Sequence, residues 1–235
     1  MSVVLHDYWR SSASYRVRIA LGLKGIGWRA APVDLVAGAQ GGAAHLALNP
    51  QGLVPVLQID GLRLTQSLAI LDHLDETRPL PALLPAAPAA RARVRAIALA
   101  VACEIHPVSN LKVLARIEAL AGSDARAEWN RRNITEGLAA VEQLLDHADF
   151  TGSFCHGAAP GYADCVLVPQ IYNARRWGVA LPDRIAAVEA ACAVHPAFVA
   201  AHPDRANPQA NFKADPATAP ACAPADHVTG PAAGQ

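Results

Sequence analysis

The 235 residues suffice for one large or two small domains with a real core. Although 52% of them are hydrophobic, no run approaches the roughly 18 uninterrupted apolar residues of a membrane span. Lys and Arg balance Asp and Glu to a formal net charge of zero and are scattered, which removes the electrostatic footprint of a nucleic-acid binder.

In chain order, "MSVVLHDYW" has no basic region followed by a long apolar block, so no secretory signal is seen and a soluble, cytoplasmic protein with a small partner is expected. "SVVLHDY" and "WRAAPVDL" are β-prone runs, and between them Val17, Ala20, Leu21 and Lys24 recur at helical spacing, which makes a βαβ unit. After a Gly-rich loop at 38–43, "VPVLQI" and "LRLT" flank Asp60-Gly61, a hairpin turn signal, and "QSLAILDHLDE" sets Leu68, Leu71 and Leu74 on one helix face. The order βαβαββα argues for a small α/β domain over residues 1–80. "RPLPALLPAAPAA" carries four prolines in thirteen residues and reads as a linker. An all-helical domain over 88–203 follows, with helices expected at about 88–118, 124–147, 162–177 and 183–194. The Ala/Pro-rich tail, 204–235, has almost no large aliphatic residue and is expected to be disordered. The five cysteines, odd in number and never in a C-x-x-C pair, are read as reduced, mostly buried thiols.

Three places carry chemistry. Val54-Pro55 stands where the hairpin begins. It is either a trans, strand-starting proline or, in a thioredoxin-like arrangement, a cis proline that presents the preceding N–H and C=O to a cysteine-containing ligand as an added strand would. The element order around it favours the second. Gln66-Ser67 opens a helix, as an N-cap worth about 1 kcal/mol, as an anion site, or as both. Ser11, Ser12 and Ser14 lie at the mouth of the first helix, on the sheet edge where α/β ligands bind. One serine is enough for a cap. The excess, with Arg10 beside it, points to an anion, and a thiolate fits because helix N-termini lower thiol pKa values. The stretch contains no cysteine, so the thiol has to arrive with a ligand.

"RSSASYRVRIALGLKG" resembles the Arg-Ser-Ser-Cys-Ser-x-Arg-Val-Arg-Ile-Ala-Leu-x-Leu-Lys-Gly signature of zeta-class glutathione transferases of the maleylacetoacetate isomerase family. "ALNPQGLVPVLQIDG", "QSLAILDHLDETRP" and "ADCVLVPQIYNARR" match its other signatures, so the resemblance spans roughly residues 3–203. It implies a thioredoxin-like domain, an all-helical glutathione-transferase C-terminal domain, a homodimer, and glutathione bound between the domains. Carried over by position, Ser11 and Ser12 face the thiolate, and Gln40, Val54 and Pro55 contact the glutathione backbone. Gln66 and Ser67 take its γ-glutamyl end, and Asn110 contacts it from the long helix. The implied reaction is cis–trans isomerisation of a dicarboxylate, maleylacetoacetate to fumarylacetoacetate, by reversible addition of glutathione. Arg10 and Arg176 clamp the substrate, and Arg176 is preferred over Arg175.

Three positions depart from the family pattern. Ala13 replaces a common cysteine, which puts in doubt a mechanism needing a protein thiol. His106 replaces the glutamine before Pro107, either as a polar filler of a helix kink or as a donor to glutathione or substrate. Gly161 replaces a Ser or Thr cap, a weakening expected to be slight because Asp164 is kept. His45, His147, His156 and His195 lack metal-ligand spacing and are expected on loops or the surface, with no metal. The alternatives are a maleylpyruvate isomerase, a general zeta-class transferase, a thiol–disulfide enzyme on the same fold, or an interaction protein. Ala13 opposes the thiol–disulfide enzyme. Retention of Ser12, Gln66 and Ser67 opposes the interaction protein.

Overall fold

A computed structural model describes residues 2–207. The N-terminal domain runs β1 (Val4–Asp7), α1 (Ser12–Leu23), β2 (Arg29–Pro32), α2 (Ala43–Leu46), β3 (Val56–Ile59), β4 (Leu62–Thr65) and α3 (Ser67–Thr77). The sheet order is β2-β1-β3-β4, with β1 parallel to β2 and antiparallel to β3, and β3 antiparallel to β4. Pro32 ends the edge strand β2, where a missing N–H is tolerated. The β3–β4 turn puts Asp60 and Gly61 at φ 54° and 79°, the mirror-image turn that suits the twist of a hairpin. Helix α1 is buried almost all round, from Ser14 to Leu21, because α3 packs against it on one side and α6 (Tyr162–Arg176) and α8 (Pro196–Ala201) on others.

The second domain departs from expectation at the helix drawn over 88–118. Helix α4 (Pro88–Leu99) passes into a π-helical segment, Ala100–Ile105, closed by His106 N–H donating to Val101 O at 2.9 Å, and then a 3₁₀ turn at Pro107–Ser109. Pro107 lacks an N–H, and its ring crowds the carbonyl one turn back, so a regular helix cannot run through it. Helix α5 (Leu111–Leu144) starts afresh from Asn110, whose Oδ1 accepts from Lys112 N at 3.2 Å. The break expected between 118 and 124 falls on Gly122, at φ 87°. Helices α6 and α7 (Asp183–Ala193) agree with the expected spans within a residue. Two short helices after them were not anticipated: α8, and α9 (Pro203–Ala206). Each starts at a proline preceded by a histidine whose Nδ1 accepts a backbone N–H, His195 from Ala197 and His202 from Asp204. The tail expected from 204 therefore begins inside a helix. Residues 208–235, on which the expectation of disorder chiefly falls, lie outside the described residues, as does Cys222.

The domains are joined through buried cations of α1 and its C-cap. Arg18 binds both oxygens of Asp7 at 2.8 and 2.9 Å and donates to Ala201 O on α8. Lys24 Nζ meets Asp75 Oδ1, Arg78 O and Pro81 O at 2.6–2.7 Å and pins the start of the linker. One core runs through both domains, from Leu5 and Ile70 to Ile134 and Phe198. Among the described residues no single helix is long and apolar enough to cross a membrane.

Candidate active site

The mouth of α1 faces the second domain. Ser11 is the N-cap, its Oγ accepting from Ser14 N at 3.3 Å. Ser12 is the first helical residue and directs its hydroxyl toward Pro169 O on α6, at 3.5 Å. Ser14 is buried, so it is a core residue rather than a third hydroxyl at the mouth.

The Val54–Pro55 peptide is cis. The N–H and C=O of Val54 have no hydrogen-bond partner among the described residues, which leaves an extended backbone edge free to pair with a ligand. The approach to it is held from behind. His45 Nε2, on α2, and Asn49 Nδ2 both reach Leu53 O, at 2.9 and 2.8 Å. His45 is thus a buried support of the loop, not a surface histidine. Its partner is a carbonyl eight residues away, which single-residue reading cannot see. Gln40 comes close to this loop, since a side chain on Gly52 would meet Gln40 O, and Gln40 Oε1 is buried without a partner.

At α3 the cap is not the serine. Gln66 is the N-cap, at φ 65° and ψ 113°, outside the regions an L-residue favours, and its amide donates to Gln51 Oε1 at 2.8 Å. Ser67 is the first helical residue, buried, and accepts from Arg16 Nη1 at 3.2 Å. The expected capping hydroxyl is turned inward by that buried guanidinium. Burial, and secondarily the Arg16 charge, lowers the His106 pKa to about 3, so its ring is neutral at ordinary pH.

Arg10 stacks over Trp9, 5.4 Å from the ring centroid. Arg10 and Arg176 come from different domains and both act on Tyr172. Burial, aided by Asp204, pushes that phenol up, while the two guanidinium groups pull the other way. Arg175 is taken by Glu189, in a two-point ion pair at 2.6 and 3.2 Å. Away from this cleft, His147, Asp149 and His156 converge, with ligand-type atoms all within 4.8 Å of one another, a juxtaposition their spacing does not announce. His147 uses both ring nitrogens internally, toward Cys155 O and Asp149 N, and Asp149 pairs with Arg93 at 2.6 Å. Cys155 and Cys165 are buried, with thiol pKa values raised, and Cys103 is exposed.

The family model "Glutathione S-transferase, N-terminal domain" matches residues 10–77. The chain is 60% identical over 209 residues to the maleylacetoacetate isomerase of Rhizobium meliloti (strain 1021), covering 87% of this chain and 98% of that protein. A holo structure of maleyl pyruvate isomerase, a bacterial glutathione S-transferase of the zeta class, superposes with a TM-score of 0.84 at 42% identity over 87% of this chain and 98% of that one. The maleylacetoacetate isomerase of Anaeromyxobacter dehalogenans 2CP-1, solved with dicarboxyethyl glutathione and citrate, gives 0.79 at 46% identity over 89% and 97%. Thioredoxin-like and helical domains in this order, a cis proline beside a free backbone edge, and this degree of identity make the chain a member of the zeta-class glutathione transferase family of maleylacetoacetate isomerases.

Proposed function

We propose that this chain converts maleylacetoacetate to fumarylacetoacetate by glutathione-dependent cis–trans isomerisation. The observation that carries the proposal is the cleft itself. An unpaired backbone edge at Val54 and the hydroxyl-bearing start of α1 lie on one domain, where Ser12 meets Pro169 O of the other, and the charges of Arg10 and Arg176, one from each domain, both act on Tyr172.

The residues suit glutathione. Val54 can pair with its peptide backbone beside Pro55, and the orphaned Gln40 Oε1 offers an acceptor on the same side. The start of α3, with Gln66 and Ser67, offers N–H groups and a hydroxyl to a carboxylate. In this reading His106 and Asn110 contribute from the second domain; the neutral His106 ring can donate a hydrogen bond, and Asn110 sits at the start of α5. Bound glutathione supplies a thiol whose reversible addition to the cis double bond leaves a single bond free to rotate.

The start of α1 and the hydroxyls of Ser11 and Ser12 favour the thiolate form. That alone is a small effect. A thiol pKa lowered by about two units raises the thiolate roughly thirtyfold, and reduced nucleophilicity returns about eightfold of it. The larger contributions are positioning of the double bond and stabilisation of negative charge developing on the substrate carbonyl oxygen, the role this reading gives to Arg10 and Arg176. Their planar, multi-donor heads suit the carboxylates of the substrate.

A spectrophotometric assay of maleylacetoacetate with catalytic glutathione is expected to show product formation with glutathione undiminished. Stoichiometric loss of glutathione, or no reaction, would remove the proposal. Maleylpyruvate is the second substrate to assay, on the strength of the zeta-class maleyl pyruvate isomerase likeness. A higher kcat/KM for it would reverse the order. A homodimer is part of the proposal, supported by exposed large apolar side chains such as Leu62 on the edge strand and Leu99 at the end of α4, and is tested by light scattering.

A further inference from the structure

Two arginines on α1, two residues apart, are buried under opposite conditions. Arg18 has every part of its guanidinium engaged: Nη1 with the Asp7 carboxylate, Nη2 with Trp9 O, and Nε with Ala201 O. Arg16, 3% exposed, makes one hydrogen bond, to Ser67 Oγ, while its Nε and Nη2 find no partner among the described residues. No carboxylate pairs with it there. His106, Cys103 and Tyr162 come within its electrostatic reach, and none of them is a carboxylate. A buried cation in this condition is costly, and an apolar side chain of similar volume would fill the space at less cost. Packing therefore does not account for it. What the guanidinium does meet is the first residue of α3, beside the out-of-region backbone of Gln66, at the helix start where N–H groups are free.

We propose, on the reading of Ser67 as the γ-glutamyl anchor, that Arg16 is a positioning residue of the glutathione subsite. Its Nη1–H holds Ser67 Oγ, and its charge, buried behind the start of α3, is compensated when the α-carboxylate of the γ-glutamyl group seats there. The cost of burying the cation in the ligand-free protein is then recovered as affinity for that one carboxylate. The low dielectric around Arg16 makes the attraction stronger than a surface arginine could provide.

The test compares two ligands on the full chain by calorimetric titration: glutathione, and 4-aminobutyryl-cysteinyl-glycine, the same tripeptide without the α-carboxylate. Arg16→Met is expected to bind glutathione about tenfold more weakly than the wild type, as loss of a charge-assisted interaction implies, and to bind the analogue within about twofold of it. The melting temperature of the ligand-free variant should hold or rise, since an uncompensated buried charge has been removed. Turnover at saturating glutathione should be nearly unchanged. Equal weakening of both ligands, or no change for glutathione, overturns the positioning role. If the wild type itself does not distinguish the two ligands, the γ-glutamyl anchor at Ser67 fails, and Arg16's role with it. Should Arg16→Met not fold, Arg16→Gln, which also removes the charge, gives the same decision. A loss confined to glutathione supports the role, and an equal loss for both ligands ends it.

Discussion

Ser11 and Ser12 are neighbours, yet the helix that starts between them aims their side chains differently. Ser11 spends its Oγ on Ser14 N, while Ser12 has only a long contact to Pro169 O. Ser11→Ala should therefore cost roughly 1 kcal/mol of stability, read by urea denaturation, and lower saturating turnover less than Ser12→Ala does. Ser12→Ala should lower saturating turnover by about two- to fourfold, the net worth of the thiolate stabilisation it shares in, and leave the denaturation midpoint in place. An equal effect of both changes on both readouts would show that the two hydroxyls act as one unit. The cluster at the helix mouth is legible in the sequence; its division of labour is not, because it turns on one residue of helix phase. His106 gives a second prediction. Burial first, and Arg16 second, lower its folded-state pKa from 6.5 to about 3. The unfolded chain then binds the proton more readily, so this group's contribution to stability is lost as pH falls from about 6.5 toward 3. His6 and His147 are shifted in the same direction, chiefly by burial, so acid sensitivity will survive in part. His106→Gln should shrink the stability difference between about pH 8 and pH 5 relative to the wild type. The same difference in both proteins would mean that His106 is not held neutral.

At the scale of elements, the N-terminus of α6 separates what local pattern can tell from what it cannot. Asp164, 2% exposed, accepts from Gly161 N and Cys155 N, each at 2.8 Å, and so ties the helix start to the preceding loop. The spacing of Gly161 and Asp164 makes this capping legible. The reason for the glycine is not legible. A side chain at 161 would meet Leu83 O at 2.7 Å, because the linker carbonyl bonds Tyr162 N at 2.8 Å. What reads as a weakened cap is a close approach between linker and helix. Gly161→Ser should therefore destabilise the protein, by about 1–2 kcal/mol, where cap preference alone expects a gain. Asp164→Ala should cost more, roughly 2–4 kcal/mol, because two buried N–H groups lose a carboxylate together. Both are read as shifts in denaturation midpoint at unchanged slope, and a stabilised Gly161→Ser would show that the linker yields easily. The same distinction explains α4. Helical periodicity continues past Leu99, so the pattern reads as one helix, but Pro107 further on forces a π turn whose position depends on packing.

Across the whole molecule, the two-domain order is legible because strand alternation, the Asp60-Gly61 turn and the proline-rich linker are local signals. The cleft between the domains is not. The domains that flank it are held together by pairs far apart in the chain, such as Ser12 with Pro169 at the helix mouth and Arg18 with Ala201 in the buried seam, and no periodicity links them. Arg10 and Arg176 are the proposed functional instance, one from each domain and both acting electrostatically on Tyr172. If each holds one carboxylate of a dicarboxylate substrate, removal of either should lower kcat/KM by roughly ten- to a hundredfold, the worth of a charge-assisted, two-point contact. Glutathione affinity should hardly change if its anchors are, as proposed, Val54, Gln66 and Ser67. Lysine at either position should restore only part of the loss, because the charge returns without the planar fork. Since the two guanidinium groups act on different ends of the substrate, the double variant should lose about the product of the two single losses. A substrate analogue with one carboxylate amidated should then be sensitive to one arginine and nearly indifferent to the other. If Arg176→Ala instead weakens glutathione and leaves saturating turnover unaltered, the arginine serves the tripeptide, and the substrate lies elsewhere in the cleft.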